Sequence, residues 1–363
     1  MTRSNKLRWT QLGIITIAWL LLAIFMTVYD HLVLHSAYST GIQEQYSFLL
    51  SMFFNMGSAL MGSLLGGSFL VFYVNVKFQD KPYGYTVAAV ILWYIVVISL
   101  IMLTLGLVAV PLRTGKPFFD PASQEAFSNF LHDTSRTKNI MYWLVVVAFT
   151  QLVLQINNKF GQGVFWKIIR GLYNTPREET RIFMFLDLNA STTIAETLGN
   201  EKYHELLKDF FADITYPILE NKGEIYQYVG DEVVVAWTYR DGVENNHCIK
   251  CFFDIKQHIN KNEAMYKQRY GLVPSFKAGI HCGKVIAGEI GIIKRDITYS
   301  GDVLNTTSRI QQLCKEFKKE LIVSGEVLSE LRLPESYRTN PLGSIQLRGK
   351  EKHILVNELS AGA

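Results

Sequence analysis

The hydrophobic pattern divides the chain in two. In the first 157 residues four runs, 12–29, 47–76, 86–110 and 140–157, contain no Asp, Glu, Lys or Arg. At about 1.5 Å per residue each is long enough to cross the roughly 30 Å hydrocarbon core of a bilayer, so the pattern predicts four transmembrane helices. The first run lacks the small-residue cleavage site of a signal peptide, and three further runs follow it. After Asn157 the charges return. Residues 158–179 set Phe165, Trp166, Ile168, Ile169 and Leu172 among Lys and Arg, the pattern of an amphipathic connector that lies on a membrane surface or pairs with its counterpart, and Pro176 ends it.

From Arg181 onward short segments alternate between the two-residue and 3.6-residue periods. Residues 181–188 form an apolar, β-rich run, 198–220 have helical spacing, and 224–229 and 233–238 flank Gly230-Asp231 as a hairpin. A helix over 243–267 follows, then strands at 276–281, 285–289 and 296–299. A helix at 303–317 and strands at 320–323, 344–347 and 354–359 complete the pattern. The expected architecture is an all-α four-helix transmembrane region over 1–157, a connector over 158–180 and an α+β sheet domain over 181–363.

Charge adds an orientation. Arg3, Lys6 and Arg8 precede the first run, Lys77 and Lys81 follow the second, and Lys159, Lys167 and Arg170 follow the fourth. Residues 30–46 carry no Lys or Arg, whereas Arg113, Lys116, Arg136 and Lys138 are spread over the long stretch 111–139. The excess of cations at cytoplasmic flanks places both termini in the cytoplasm, with the chain multi-pass in the cell (inner) membrane. Within the second run Ser58, Gly62 and Gly66 recur every four residues, a spacing used where transmembrane helices meet closely, here as a seam for a second copy. The net charge of +4 without a dense basic patch gives no reason to expect a nucleic-acid partner. Cys248 and Cys251 form a lone C-x-x-C on an amphipathic helix; without a second ligating pair they read as helix packing.

Two acidic residues stand out. Asp187 ends an apolar strand and Asp231 follows Gly230 at a hairpin tip. A carboxylate beside such segments is costly unless it is paired or binds a cation, and two from adjacent strands suit Mg²⁺, which takes one or two carboxylates plus substrate phosphates. On spacing alone each also has a structural reading, Asp187 as a helix cap and Asp231 as the Asp of a Gly-Asp turn.

Four ordered blocks carry a resemblance: F-L-D-L-N-A-S-T-T at 185–193, Y-V-G-D-E-V at 228–233, F-K-A-G-I-H-C-G-K-V at 276–285 and Y-S-G-D-V-L-N-T-T-S-R-I at 299–310. In order and spacing they are similar to the class III adenylate and guanylate cyclase catalytic domain. The stretch N-K-F-G-Q-G-V-F-W-K at 158–167 before them is similar to bacterial membrane-anchored cyclases with several spans. The resemblance implies a ferredoxin-like α+β catalytic domain acting as an adenylate cyclase, a phosphorus-oxygen lyase that makes 3′,5′-cyclic AMP and pyrophosphate from ATP. It places Asp187 and Asp231 on the family's metal-binding aspartates, with the Leu188 carbonyl as a further ligand for two Mg²⁺ per site, Mn²⁺ being the alternative. Asn305 falls on the residue that positions the ribose and Arg309 on the arginine that stabilises the α-phosphate; their spacing of four puts them on one helix face. Arg348 or Lys350, in L-R-G-K-E-K, falls where a basic residue reaches the terminal phosphates. Gln227 and Thr298 fall on the base-reading positions, where adenylate cyclases usually carry Lys and then Asp or Thr, and guanylate cyclases Glu and Cys. Gln227 both donates and accepts, so it fits either purine, and Thr298 favours ATP. Sites shared across a homodimer are implied, with the bilayer and an unidentified membrane-side signal as further partners. The alternatives are a guanylate cyclase on the same scaffold and a silent cyclase-like membrane receptor. The V-G-D-E-V string is also similar to the hairpin of diguanylate cyclases, which lack the N-x-x-x-R helix block.

Overall fold

A computed structural model describes residues 3–36, 47–78, 81–132, 134–160, 170–293, 295–346 and 353–362. The chain falls into two compact units, one centred on residues 5–165 and the other on 166–363.

In the first unit the charge-free runs become α1 (Arg3–Ser36), α2 (Phe48–Lys77), α3 (Tyr83–Thr114) and α5 (Thr134–Phe160), with α4 (Pro121–His132) between the last two. Among the described residues four helices, α1, α2, α3 and α5, are long and apolar enough to cross a membrane. Their shared core holds Trp19, Leu70, Val74, Tyr94 and Val147. The small residues of α2 are used inside this bundle. Gly62 faces Trp19 and Ile101, and a Cβ on Gly66 would lie 2.4 Å from the Tyr94 hydroxyl oxygen. The seam expected for a second copy is therefore filled by α1 and α3 of the same chain. The stretch 111–139 is not a plain loop either: the Asp120 carboxylate accepts from Ala122 N (2.9 Å) to start α4, whose Phe127 and Phe130 close over Gly106 of α3.

The second unit is built on a mixed sheet in the order β2-β3-β1-β4-β6-β8-β7, with β5 paired to β4. The strands are β1 (Arg177–Leu188), β2 (Glu224–Val229), β3 (Glu232–Thr238), β4 (Phe276–Ile290), β5 (Asp296–Ser300), β6 (Leu321–Ser324), β7 (Tyr337–Gln346) and β8 (His353–Ala361). Strand alternation in β1 sorts its side chains. Ile182, Met184, Leu186 and Leu188 join the core under α7 (Asn200–Glu220) and α8 (His247–Lys261), whereas Phe183 and Phe185 join Val285, Val303 and Tyr299 on the opposite face. That second face carries α10 (Asp302–Phe317).

The helix expected over 198–220 is preceded by α6 (Ser191–Leu198), and Gly199, at φ 76°, separates it from α7. The helix expected over 243–267 is α8 followed by α9 (Glu263–Tyr270). The two strands expected around Gly283 are the single strand β4, because pairing to β1 runs unbroken from Phe276 opposite Leu188 to Ala287 opposite Arg177. Cys248 and Cys251 are buried and unbridged in the α8 core; burial pushes the Cys248 thiol up to about 12. The connector residues Phe165, Trp166, Ile168 and Ile169 lie outside the described residues.

Candidate active site

The site begins where β1 ends. Its last polar position, Asp187, stands opposite Glu232 of β3 and opposite Lys277 of β4 in the two ladders. Lys277 Nζ lies 2.7 Å from Asp187 Oδ2, and the same oxygen accepts from Gln311 Nε2 of α10 at 3.0 Å. Leu188 follows with its side chain buried in the main core. Asp231 occupies the β2–β3 tip, where Gly230 takes φ 64°, a conformation costly for a residue with a Cβ. Helix α6 starts at Ser191 without a side-chain cap hydrogen bond, so Asp187 is not a cap.

Electrostatics tie the two aspartates together. Burial pushes the Glu232 carboxyl up to about 7, the nearby Asp187 and Asp231 carboxylates add to it, and Lys277 opposes. Tyr203 of α7 is raised by burial and then by Asp231, with Asp187 adding to it. Asp187 and Asp231 thus lie within electrostatic reach of the same two groups. Among the described residues no three His, Cys, Asp or Glu side chains converge as a metal site by themselves. Any divalent cation here needs further oxygen ligands beyond the two aspartates, which matches the habit of Mg²⁺ to bind through one or two carboxylates plus phosphate oxygens.

The second group of polar residues rides on α10, and two glycines bring that helix onto the sheet. A Cβ at Gly279 would stand 2.4 Å from Gln311 N, and one at Gly283 would stand 2.6 Å from Val303 Cγ2. Val303, Thr306, Thr307, Ile310 and Gln311 form the buried face. Asn305 and Arg309 lie on the outward face, and neither has a hydrogen-bond or ion-pair partner among the described residues. At about 100° per residue Arg309 points roughly opposite to Gln311, the side chain that reaches Asp187, and Asn305 about 120° away from it.

The base-reading candidates sit on β2 and β5. Gln227 is exposed just after a register shift in the β2–β3 ladder, and Thr298 donates from Oγ1 to the Gly288 carbonyl at 3.4 Å. Their neighbours Tyr226 and Tyr299 meet with ring centroids 5.0 Å apart. Beneath Tyr299 lies a residue that the pattern did not flag. Arg181, nearly inaccessible, stacks at 5.1 Å on that ring, pairs with Glu179 at 2.7 Å and donates to the Tyr173 hydroxyl at 3.2 Å. Glu232, Lys277 and Gln311 were also missed. Lys277 is signalled in the sequence as a cation inside an apolar strand, but that it faces Asp187 depends on strand register. Arg348 and Lys350 lie outside the described residues.

Two carboxylates at a strand end and hairpin tip, with an outward-facing Asn-x-x-x-Arg helix on the same sheet, are the arrangement expected of a nucleotide cyclase type of catalytic domain. Residues 173–357 match the adenylate and guanylate cyclase catalytic domain, and the chain belongs to that family. It is 36% identical to "Adenylate cyclase 2" of Rhizobium meliloti (strain 1021) over 224 residues, 62% of each chain. It is 29% identical to "Adenylate cyclase" of Anabaena cylindrica over 185 residues, 49% of this chain and 36% of that one. The chain thus spans less than two thirds of the length of these relatives. A solved bacterial light-regulated adenylyl cyclase shares the fold, with a TM-score of 0.52 and 23% identity over 61% of this chain and 64% of that one.

Proposed function

We propose that the chain is a membrane-anchored adenylate cyclase, converting ATP to 3′,5′-cyclic AMP and pyrophosphate at two equivalent sites shared across a homodimer. The division proposed is a four-span region over 1–157, a connector over 158–180 and the catalytic domain over 181–363, with both termini cytoplasmic. The observation that carries the shared site is the geometry of α10. Gln311 turns inward to Asp187, while Asn305 and Arg309 face out with no partner among the described residues. A second copy offering its Asp187 and Asp231 to that face completes two sites at once.

Asp187, Asp231 and the Leu188 carbonyl would hold the divalent cations, Mg²⁺ or Mn²⁺. Bound there, two such ions supply a lowered pKa at the ribose 3′-hydroxyl and neutralisation of the triphosphate. Lys277 and Gln311 hold the Asp187 carboxylate in place. In the reaction the ribose 3′-hydroxyl gives up its proton to solvent, its oxygen forms a bond to the α-phosphorus, the bond from that phosphorus to the bridging oxygen breaks, and pyrophosphate leaves with the electron pair. Arg309 offers an always-charged donor fork to the α-phosphate oxygens as charge builds on them, and Asn305 orients the ribose. Gln227 and Thr298 read the base, and Arg348 or Lys350 meets the terminal phosphates. ATP over GTP is supported by Thr298, which fits the adenylate pattern, and by the names of the relatives.

Full-length protein in detergent, given ATP or GTP with Mg²⁺ or Mn²⁺, is expected to make cyclic AMP, and Asp231→Ala to abolish it. Cyclic GMP as the main product overturns the substrate. Mixing Asp187→Ala with Arg309→Ala chains is expected to restore up to one working site per heterodimer. A dead mixture in which heterodimers are demonstrated refutes the shared site.

A further inference from the structure

The first unit encloses a cavity of about 690 Å³ among α1, α2, α3 and α5, within the size range of sites that hold drug-sized organic molecules. One end opens at helix termini, by Asp30 of α1, Ser47 before α2 and Lys138 of α5; the other reaches Gly62 of α2 and Ile101 of α3. From Ser63, just past that inner end, α2 widens into π-helical geometry, a distortion often kept at functional sites. Cyclase chemistry uses none of these residues.

We infer that this cavity is a binding site for an uncharged, lipophilic molecule carrying a flat, carbonyl-bearing ring. Three features of the lining set that chemistry. The charges cancel: Lys138 Nζ grips both carboxylate oxygens of Asp30 at 2.6 and 2.7 Å, so the described lining residues leave no free charge to offer an ion. The walls are aromatic. Trp19 lies 5.6 Å from Trp143 and 5.9 Å from Tyr94 by ring centroid, and Trp19 is pinned by its Nε1 donating to Thr150 Oγ1 at 3.1 Å. Trp19 and Tyr94 are covered by this packing, and Trp143, the partly exposed ring of the three, is the face on which a ligand ring stacks.

The third feature is an amide. Asn55 donates once, to Thr27 Oγ1 at 2.9 Å, while Thr27 itself donates to Ala23 O at 2.8 Å. Among the described residues the second N–H and the carbonyl oxygen of Asn55 have no partner. Asn55 lines the cavity, so its second N–H is available to a ligand, and a carbonyl is the acceptor that would satisfy it.

The test uses full-length protein in phospholipid nanodiscs and decylubiquinone, an uncharged benzoquinone with an alkyl tail that quenches tryptophan fluorescence. Above the linear quenching due to partition into lipid, a saturable component of one quinone per chain is expected, since Trp19 and Trp143 line the site. Asn55→Leu, which keeps the volume and removes the amide, is expected to raise its midpoint about fivefold, the worth of one hydrogen bond. Ser58→Phe, which fills the cavity, is expected to abolish it. Should Ser58→Phe not fold, Asn55→Leu alone decides. Linear quenching only, equal in wild type and Asn55→Leu, shows that lipid acyl chains own the space and overturns the inference. A saturable component whose midpoint ignores Asn55→Leu overturns the carbonyl assignment.

Discussion

Gly279→Ala tests the contact that seats α10. The new Cβ would lie 2.4 Å from Gln311 N and 2.7 Å from Gln311 Cα, where ordinary contact starts at 3.4 Å, so the helix must retreat by about 1 Å at this point. Overpacking of this kind costs about 1–3 kcal/mol. The retreat also stretches the 3.0 Å bond from Gln311 to Asp187, and a hydrogen bond to a charged group contributes about 1.5 kcal/mol at the low end suited to a partly exposed carboxylate. Together these give about 2.5–4.5 kcal/mol, or a fall in Tm of roughly 5–18 °C for a unit of this size. The measurement is a thermal scan of full-length protein in detergent, read by tryptophan fluorescence and by surviving cyclase activity. Gly271→Ala is the reference: nothing lies within 4 Å of its Cβ, and only its φ of 73° opposes the change, at about 1 kcal/mol. If Gly279→Ala shifts Tm no further than Gly271→Ala, the close approach of α10 to β4 is wrong.

Lys277→Met removes the cation facing Asp187 and leaves carboxylates that repel one another; the Tm gain on adding Mg²⁺ is expected to be larger than in wild type, and an equal gain refutes the view that Lys277 serves as countercharge. Arg181→Met leaves Glu179 without its 2.7 Å partner and Tyr299 without its cation, and a loss of about 3 kcal/mol or more is expected by chemical denaturation. Lys256→Met, at an exposed pair with Glu320, is expected to cost less than about 1 kcal/mol in the same assay. Trp237→Phe deletes a buried 2.8 Å bond to the Asn221 carbonyl and is expected to cost about 1–3 kcal/mol, while a silent change denies that this bond contributes.

The sequence carried whatever depends on periodicity and missed what depends on register. Four charge-free runs read as long apolar helices, whereas the all-apolar run of β1 marked a strand without showing which side chains face which layer, so Met184 and Phe183 were sorted only by the folded sheet. The breaks were less legible. Gly283 reads as a strand end, yet in β4 it is a smooth position whose missing Cβ admits Val303. Gly62 and Gly66 read as a seam for another copy because spacing says that a helix is approached closely, not which helix approaches. Lys277, Glu232 and Gln311 belong to the site through ladders and packing between segments far apart in the chain, so no local pattern shows that they meet Asp187, even where, as for Lys277, the residue itself stands out.

The same limit applies to α10, with a consequence for function. A spacing of four residues fixes that Asn305 and Arg309 share a face, but only docking on Gly279 and Gly283 fixes that this face turns away from the sheet. Had the helix been rotated by half a turn, Arg309 would meet the chain's own carboxylates and a monomer would hold a complete site. As it stands, the buried Gln311 occupies that direction and already bonds Asp187. If the shared site proposed above holds, the two outward residues work only against a second copy, and an activity that falls steeply on dilution below the dimer dissociation constant is expected. Specific activity that stays constant into the monomeric range, followed by sedimentation at matched concentrations, would place Arg309 outside the reaction.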